Sequence, residues 1–315
     1  MAQAKIRTAR AKHFDKLDEA LTYVEQHELP GVIKADGLAQ GKGVVIATTR
    51  DQARQAIIDS MDKAVFGQAG KQVLIEQFLD GEELTIMAFT DGSTVAPMLP
   101  AQDHKRVGDG DTGLNTGGMG AYCPAPLGTS ALREQVTREV LQPIVDTMSR
   151  LGCPFQGVLY AGLMVVKGVP YVLEFNARMG DPETQVVLPL LKTDLVDVIE
   201  AVIDHRLHQL AVEWHDGTAV CVVMTAGGYP GSYQNGLAIH GLLEANDATA
   251  MVFHAGTAKK GSVVVTAGGR VLGITGCGKT LKEARAEAYR VTRSIHFQDH
   301  HFRTDIAYRA FQPRP

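Results

Sequence analysis

Cysteine is scarce and scattered. Cys123, Cys153, Cys221 and Cys277 are the only four in 315 residues, and no two form a C-x-x-C pair. Neither a zinc site nor a disulfide framework is indicated, and the pattern reads as that of a reducing cytoplasm. Basic charge is not in excess either. A net charge of -4 excludes the broad basic face that nucleic acid or an anionic membrane surface requires. An uninterrupted apolar run of the roughly 18 residues needed for a membrane span is absent. The basic residues near the start (Lys5, Arg7, Arg10, Lys12) are not followed by an apolar region, so they read as a solvated edge, not an export leader. With 45% hydrophobic residues the chain can build a sizeable core, and its length suits about two domains.

Glycine, by contrast, is placed with purpose. In Pro30 to Ala47, two short apolar runs flank a turn-rich middle with Gly37, Gly41 and Gly43, which reads as strand, glycine loop, strand. Lys34 ends the first strand and Lys42 lies in the loop, so two ammonium groups converge on backbone N–H groups that glycine leaves open. Such a loop can cover a polyphosphate; on these residues alone, a hairpin with a solvated tip fits equally well. It is not a Walker A loop, because Gly37 to Gly41 is one residue short and Gly43 stands where Ser or Thr belongs.

Along the chain, periodicity predicts helices over about Lys16 to Gln26, Thr49 to Asp62 (with Thr49 and Gln52 as a capping box), Ser130 to Leu151, Asp194 to Leu207 with Thr193 as its cap, and Leu281 to Ile295. In the third, Leu132, Val136, Val140, Ile144 and Met148 recur four apart; in the fourth, Leu195, Ile199 and Val202 point inward. Lys71 to Thr90 reads as two strands around Asp80-Gly81, with Glu76, Glu82 and Glu83 as its acids. Ala101 to Tyr122 is too polar and glycine-rich for a regular element and longer than an ordinary connection. It mixes Asp103, His104, Lys105 and Arg106, and its Asn115 to Gly120 run can turn several N–H groups towards one anion. From Gly217 onwards the texture turns to strands, at Thr218 to Thr225, Met251 to His254, Ser262 to Thr266 and Arg270 to Thr275.

Leu159 to Val166 and Val169 to Phe175 read as a hairpin turned by Lys167-Gly168. Alternation puts Glu174, Asn176 and Arg178 on one side of it. A carboxylate and an amide oxygen suit a hard cation such as Mg²⁺, and the guanidinium suits a phosphoryl or acyl-phosphate oxygen.

The wording of Pro30 to Ala47 and of Glu174 to Gln185 (E-F-N-A-R-M-G-D-P-E-T-Q) resembles the phosphoribosylamine-glycine ligases, members of the ATP-grasp enzymes; the likeness runs from about Lys5 to Phe311. It implies an α+β, ATP-grasp fold over residues 1–216, with a lid subdomain at about 30–95, followed by a small α+β domain at 217–315. The implied reaction joins glycine to 5-phosphoribosylamine through glycyl phosphate, with ATP and Mg²⁺ or Mn²⁺. The implied roles are Lys34 and Arg178 in catalysis; Lys34, Gly41, Lys42, Gly43, Glu76, Phe78, Leu79 and Glu83 on the nucleotide, with Glu76 at the adenine hinge and Glu83 on the ribose; Asp103, Lys105, Arg106, Asn115, Gly117, Gly118 and Asp181 on substrates; and Glu174 and Asn176 on the metal.

Family members begin with a Rossmann-like domain and carry a further ATP-site lysine ahead of the point where this sequence starts. No strand-glycine-helix unit precedes Pro30, so the expectation is a chain comprising the ATP-grasp and C-terminal portions, for which a separately encoded N-terminal domain is a candidate partner. Leu114 and Arg7 replace usual prolines. Two other readings stand beside this one: an inactive nucleotide-binding remnant, and an ATP-grasp ligase for a different amine.

Two further motifs compete for attention. Gly273 to Thr280 spells G-x-x-x-x-G-K-T, but little chain follows it, and Thr280 with Glu283 makes a capping box for the last helix. His296, His300 and His301 could share a helical face, but they fall where that helix should end.

Overall fold

A computed structural model describes residues 1–37, 43–242 and 250–312. Gly41 and Lys42 lie outside the described residues. The chain divides into two compact units, Arg7–Glu82 on the one hand and Met1–Ile6 with Glu83–Pro315 on the other.

The smaller unit is a four-stranded antiparallel sheet in the order β1-β4-β2-β3, built from β1 (Ala11–Phe14), β2 (Gly31–Ala35), β3 (Val44–Ala47) and β4 (Val73–Gln77). Helices α1 (Leu17–Gln26) and α2 (Arg50–Met61) cover it. Ala20 and Val24 of α1 and Ala53 and Ile57 of α2 pack on Ile33, Val73 and Ile75 of the sheet. These are alternate residues within each strand, as a sheet with one buried face requires. The expected capping box on α2 is formed by Thr49 and Gln52, and the glycine loop does join two paired strands, Gly31 opposite Ala47.

The larger unit holds a five-stranded sheet, β14-β17-β13-β10-β7, and a four-stranded sheet, β12-β11-β5-β6, with two separate hairpins. In chain order its strands are β5 (Glu82–Asp91), β6 (Val95–Pro97), β7 (Gln102–Asp103), β8 (Arg106–Gly108), β9 (Thr112–Asn115), β10 (Gly120–Cys123), β11 (Gln156–Val166), β12 (Val169–Asn176), β13 (Thr218–Thr225), β14 (Ala250–His254), β15 (Thr257–Lys260), β16 (Val263–Thr266) and β17 (Arg270–Gly278). Its helices are α3 (Ser130–Val136), α4 (Gln142–Arg150), α5 (Thr184–Val187), α6 (Leu195–Ile203) and α7 (Leu281–Thr292). β5 is buried on both faces. Leu84, Ile86 and Ala88 join one core cluster while Met87 and Phe89 join another. Strands on either side of residue 217 share a sheet, because β13 pairs with β10.

Three expectations are corrected here. Residues 101–122 are not an irregular loop, since they carry β7, β8, β9 and β10; cross-strand pairing overrides their polar composition. The helix over 130–150 is interrupted by a π-turn, Thr137–Leu141, next to Pro143, which has no N–H to continue an α ladder. Beyond it the buried residues are Val145 and Thr147, while the predicted Ile144 and Met148 are only half-buried. In α6 the cap is Asp194, not Thr193, and Val198, Ala201 and Val202 face inward while Ile199 is exposed.

The Walker-like run is a strand and a helix cap. Gly273 to Gly278 lies inside β17, and Thr280 accepts from the Glu283 N–H while Glu283 returns to the Thr280 N–H. Gly276 is glycine because α7 packs against it: a Cβ there would lie 2.3 Å from the Ala288 nitrogen and 2.4 Å from the Ala284 oxygen. The histidines follow the end of α7. His296 stacks on His240 at 5.2 Å, His301 donates to the Val107 carbonyl, and among the described residues no metal-holding group forms.

Replacing the cap, Thr280→Ala, should lower stability by about 1 kcal/mol in denaturant titrations and leave nucleotide affinity unchanged. A loss of nucleotide binding would reinstate the phosphate-loop reading of this run.

Candidate functional site

In the smaller unit, Lys34 on β2 and Glu76 on β4 form an ion pair of 2.6 Å, their side chains 23% and 10% exposed. The pairing follows from the register, which sets Val32 opposite Glu76 and Lys34 opposite Leu74, so the two side chains are diagonal neighbours on one face. The Glu76 carbonyl is engaged by the His27 ring at 3.2 Å. Leu79 is buried and Phe78 half-buried. Gly43 accepts from the Ala35 N–H at 2.9 Å and so closes the strand end from which the glycine loop departs.

In the larger unit, β12 ends in the expected oxygen donors, but simple alternation does not put them there. Leu163 faces Val172 and Gly162 faces Glu174, so Leu173 is an extra, unpaired residue. This β-bulge reverses the side-chain phase. Val172 is fully buried, whereas Glu174, two residues on, is exposed. Without the bulge Glu174 and Asn176 would point into the core with Val172. Gly162 accommodates the crossing: a Cβ there would sit 3.1 Å from Glu174 Cγ. The Asn176 amide N–H donates to Glu174 at 3.2 Å, leaving the amide oxygen and carboxylate side by side.

Two adjacent oxygen donors fit a divalent cation of the Mg²⁺ type, which takes one or two protein ligands and completes its shell with phosphate and water. Arg178, just beyond, donates to the Met179 carbonyl and lies 6.0 Å from the Tyr160 ring.

The residues from Asp103 to Gly118 lie in the same unit. Lys105 is ion-paired with Glu83, so two residues expected on different ligands hold one another. Arg106 pairs with Asn115 across the β8–β9 hairpin and donates to the Gly113 carbonyl at 2.8 Å. The anion nest expected at Asn115 to Gly120 is largely filled by the protein itself. The N–H groups of Thr116 and Met119 go to the Lys105 and His104 carbonyls, Gly117 donates to the Tyr229 hydroxyl, and Gly118 donates to the Thr116 side chain.

Three groups escaped the sequence reading. Arg270 of β17 grips both oxygens of Asp181 at 2.8 and 3.2 Å and reaches the Gly117 carbonyl at 2.7 Å, so one guanidinium ties two candidate substrate segments together. Glu183 is 3% exposed and accepts from Tyr160 at 2.7 Å and Thr85 at 3.1 Å. Asp111, taken only as part of a loop, receives Arg303, Arg309 and Tyr308. The run D-P-E contained Glu183 in plain view. Arg270 and Arg303 carried no local signal, because their partners lie roughly 90 and 190 residues away.

Charge in this region is set by burial. Asp103 is 8% exposed, and burial pushes its carboxyl up to about 7, with Glu183 and Glu83 adding and Lys105 and Arg309 opposing. Burial also works against ionised Asp111, but the neighbouring His104, hydrogen bonds from Tyr308 and Arg303 and the charge of Arg309 hold its carboxyl well below the usual carboxylate range.

Residues 1–184 match the family described as phosphoribosylglycinamide synthetase, ATP-grasp (A) domain, and residues 219–309 match its C domain. A phosphoribosylamine-glycine ligase of Synechocystis is 49% identical over 312 residues, covering 98% of this chain and 73% of its own length. The crystal structure of a phosphoribosylamine-glycine ligase from Thermotoga maritima superposes with a TM-score of 0.86 at 36% identity, covering 98% of this chain and 76% of that one. The biotin carboxylase domain of the Hydrogenobacter thermophilus 2-oxoglutarate carboxylase shares the fold, with a TM-score of 0.73 at 14% identity over 96% of this chain and 65% of that one.

A carboxyl raised from 3.8 to about 7 keeps a proton that the unfolded chain has released. Stability from this residue should therefore fall as pH rises from about 4 to about 7. Asp103→Asn should remove that fall, so its melting temperature relative to the unaltered chain should climb across this window in a thermal scan at successive pH values.

Proposed function

The chain belongs to the phosphoribosylglycinamide synthetase family, and on that premise we propose that it joins glycine to 5-phosphoribosylamine, driven by ATP, to give glycinamide ribonucleotide, ADP and phosphate in purine biosynthesis. The observation that carries the reading is the end of β12, where a bulge turns Glu174 and Asn176 out of the core beside Arg178. ATP and a divalent metal are the family's requirements; Mg²⁺ is our choice for the two-oxygen site, with Mn²⁺ the alternative.

Chemically, a glycine carboxylate oxygen attacks the γ-phosphorus and ADP leaves. The phosphoribosylamine nitrogen then attacks the acyl carbon; the C–N bond forms, phosphate departs with the C–O electron pair, and the nitrogen gives up a proton. Arg178 and Lys34 offer positive charge to the phosphoryl oxygens as charge shifts onto them. When bound, the cation held by Glu174 and Asn176 supplies further neutralisation of phosphate charge.

We assign Glu76, Phe78 and Leu79 to the adenine, Glu83 to the ribose, and Gly41, Lys42 and Gly43 to covering the phosphates, where exclusion of water protects an acyl phosphate. Asp103, Lys105, Arg106, Asn115, Gly117, Gly118 and Asp181 are proposed for glycine and phosphoribosylamine. We keep residue 217 as the functional division, with 1–216 carrying these groups and 217–315 contributing Arg270. Free Cys123, Cys153, Cys221 and Cys277 support a reducing, cytoplasmic setting, and no helix among the described residues is long and apolar enough to cross a membrane.

Calorimetric titration of MgATP should give binding that Glu174→Ala weakens, and Arg178→Ala should cut kcat for ADP release with glycine and phosphoribosylamine by on the order of 100-fold. Absence of MgATP binding would refute the site. Binding without turnover would mean that the phosphoribosylamine step needs a further partner, such as a separately encoded N-terminal domain.

A further inference from the structure

The polypeptide after α7 folds back on the segment from Asp103 to Asp111. It does so through polar contacts. Arg303 is fully buried and divides its guanidinium between Asp305, at 2.7 and 2.8 Å, and Asp111, at 2.8 Å, with the Arg106 carbonyl at 3.1 Å. Asp111 sits at φ 56°, a left-handed conformation unfavourable for a side chain with a Cβ. Three donors from residues 303–309 meet its carboxylate there. A buried guanidinium needs such partners, since leaving it unpaired is strongly destabilising.

At the centre of this contact is His104. Its side chain is fully buried, and its Nε2 accepts the Ala307 N–H at 3.0 Å. An accepting Nε2 puts the ring proton on Nδ1, which has no hydrogen-bond partner and lies 3.9 Å from Asp111 Oδ1. The His104 backbone is held as well, its N–H by Gly120 and its carbonyl by Met119. Successive side chains in extended backbone project to opposite sides. A residue clamped between its neighbours therefore directs both of them the other way. Consistent with this, Lys105 reaches Glu83, and from the clasp Arg309 donates to the Asp103 carbonyl at 3.2 Å.

We propose that residues 303–309 form a clasp that acts through His104 to aim Asp103 and Lys105 at the substrates, which makes His104 a positioning residue of the ligase reaction. The proposal rests on the reading above in taking Asp103 and Lys105 as substrate residues. Among the described residues, the hydrogen bonds and ion pairs that the clasp makes outside residues 303–312 go to Asp103, His104, Arg106, Asp109, Gly110, Asp111, Arg285 and Tyr289, none of them a proposed nucleotide or metal ligand. Loss of the clasp should therefore change turnover without changing the binding of MgATP.

The test compares His104→Leu, which fills the space without an acceptor, with His104→Gln, whose amide oxygen can take the Ala307 N–H. In His104→Leu, amide hydrogen exchange over residues 101–123 should accelerate by about 10-fold or more. kcat/KM for glycine-dependent ADP release should fall on the order of 100-fold, the scale of a misplaced reacting group, while the MgATP dissociation constant stays unchanged. His104→Gln should restore both slow exchange and turnover. Unchanged exchange in His104→Leu would overturn the clasp, as would a parallel loss of MgATP affinity or a failure of His104→Gln to rescue. If the unaltered chain binds MgATP but does not turn over by itself, the exchange comparison alone decides the clasp.

Discussion

A guanidinium sealed from water must find its counter-charge inside the protein, and Arg303 is such a group. Its two carboxylates, Asp111 and Asp305, come from opposite ends of the larger unit's sequence. Satisfying it joins the two ends. The same demand recruits Arg309 and Tyr308 to Asp111, so a residue in an unfavourable backbone conformation becomes a fixed point. The hairpin β8–β9 hangs from that point, while β7 is held by its pairing with β10. Removing the ionic network would leave a polar, glycine-rich stretch with little apolar burial to hold it.

A different constraint shapes the end of β12. A strand packed on a core cannot present a carboxylate and an amide to solvent on its core face, and regular alternation would have put Glu174 and Asn176 there. One extra residue, Leu173, resolves the conflict by switching the phase between Val172 and Glu174. The bulge thus converts a core strand into a site strand within two residues. Arg270 does comparable work across sequence, binding Asp181 and Gly117 together although neither segment alone has a reason to approach the other.

Much of the plan was legible beforehand because it is written in local chemistry. The strand-glycine-strand pattern at Gly31 to Ala47, the capping boxes at Thr49 and Thr280 and the hairpin at Lys167-Gly168 each depend on residues a few positions apart. The failures are of another kind. The polar run 101–122 becomes strand because distant partners pair with it, and the π-turn beside Pro143 interrupts a helix that a four-residue spacing had run straight through to Ile144 and Met148. Both depend on context that no short window contains.

The sequence by itself therefore determined the capped helices, the tight turns and the family resemblance, since glycine conformations, caps and short motifs act over one or two turns of backbone. Tertiary structure decided where the side chains of the candidate site point and what holds them. The side on which Glu174 emerges, the pairing of Lys34 with Glu76 and of Lys105 with Glu83, and the burial that raises the Asp103 carboxyl all follow from strand register and desolvation. Those quantities exist only once residues far apart in sequence have been brought into contact and water has been removed between them.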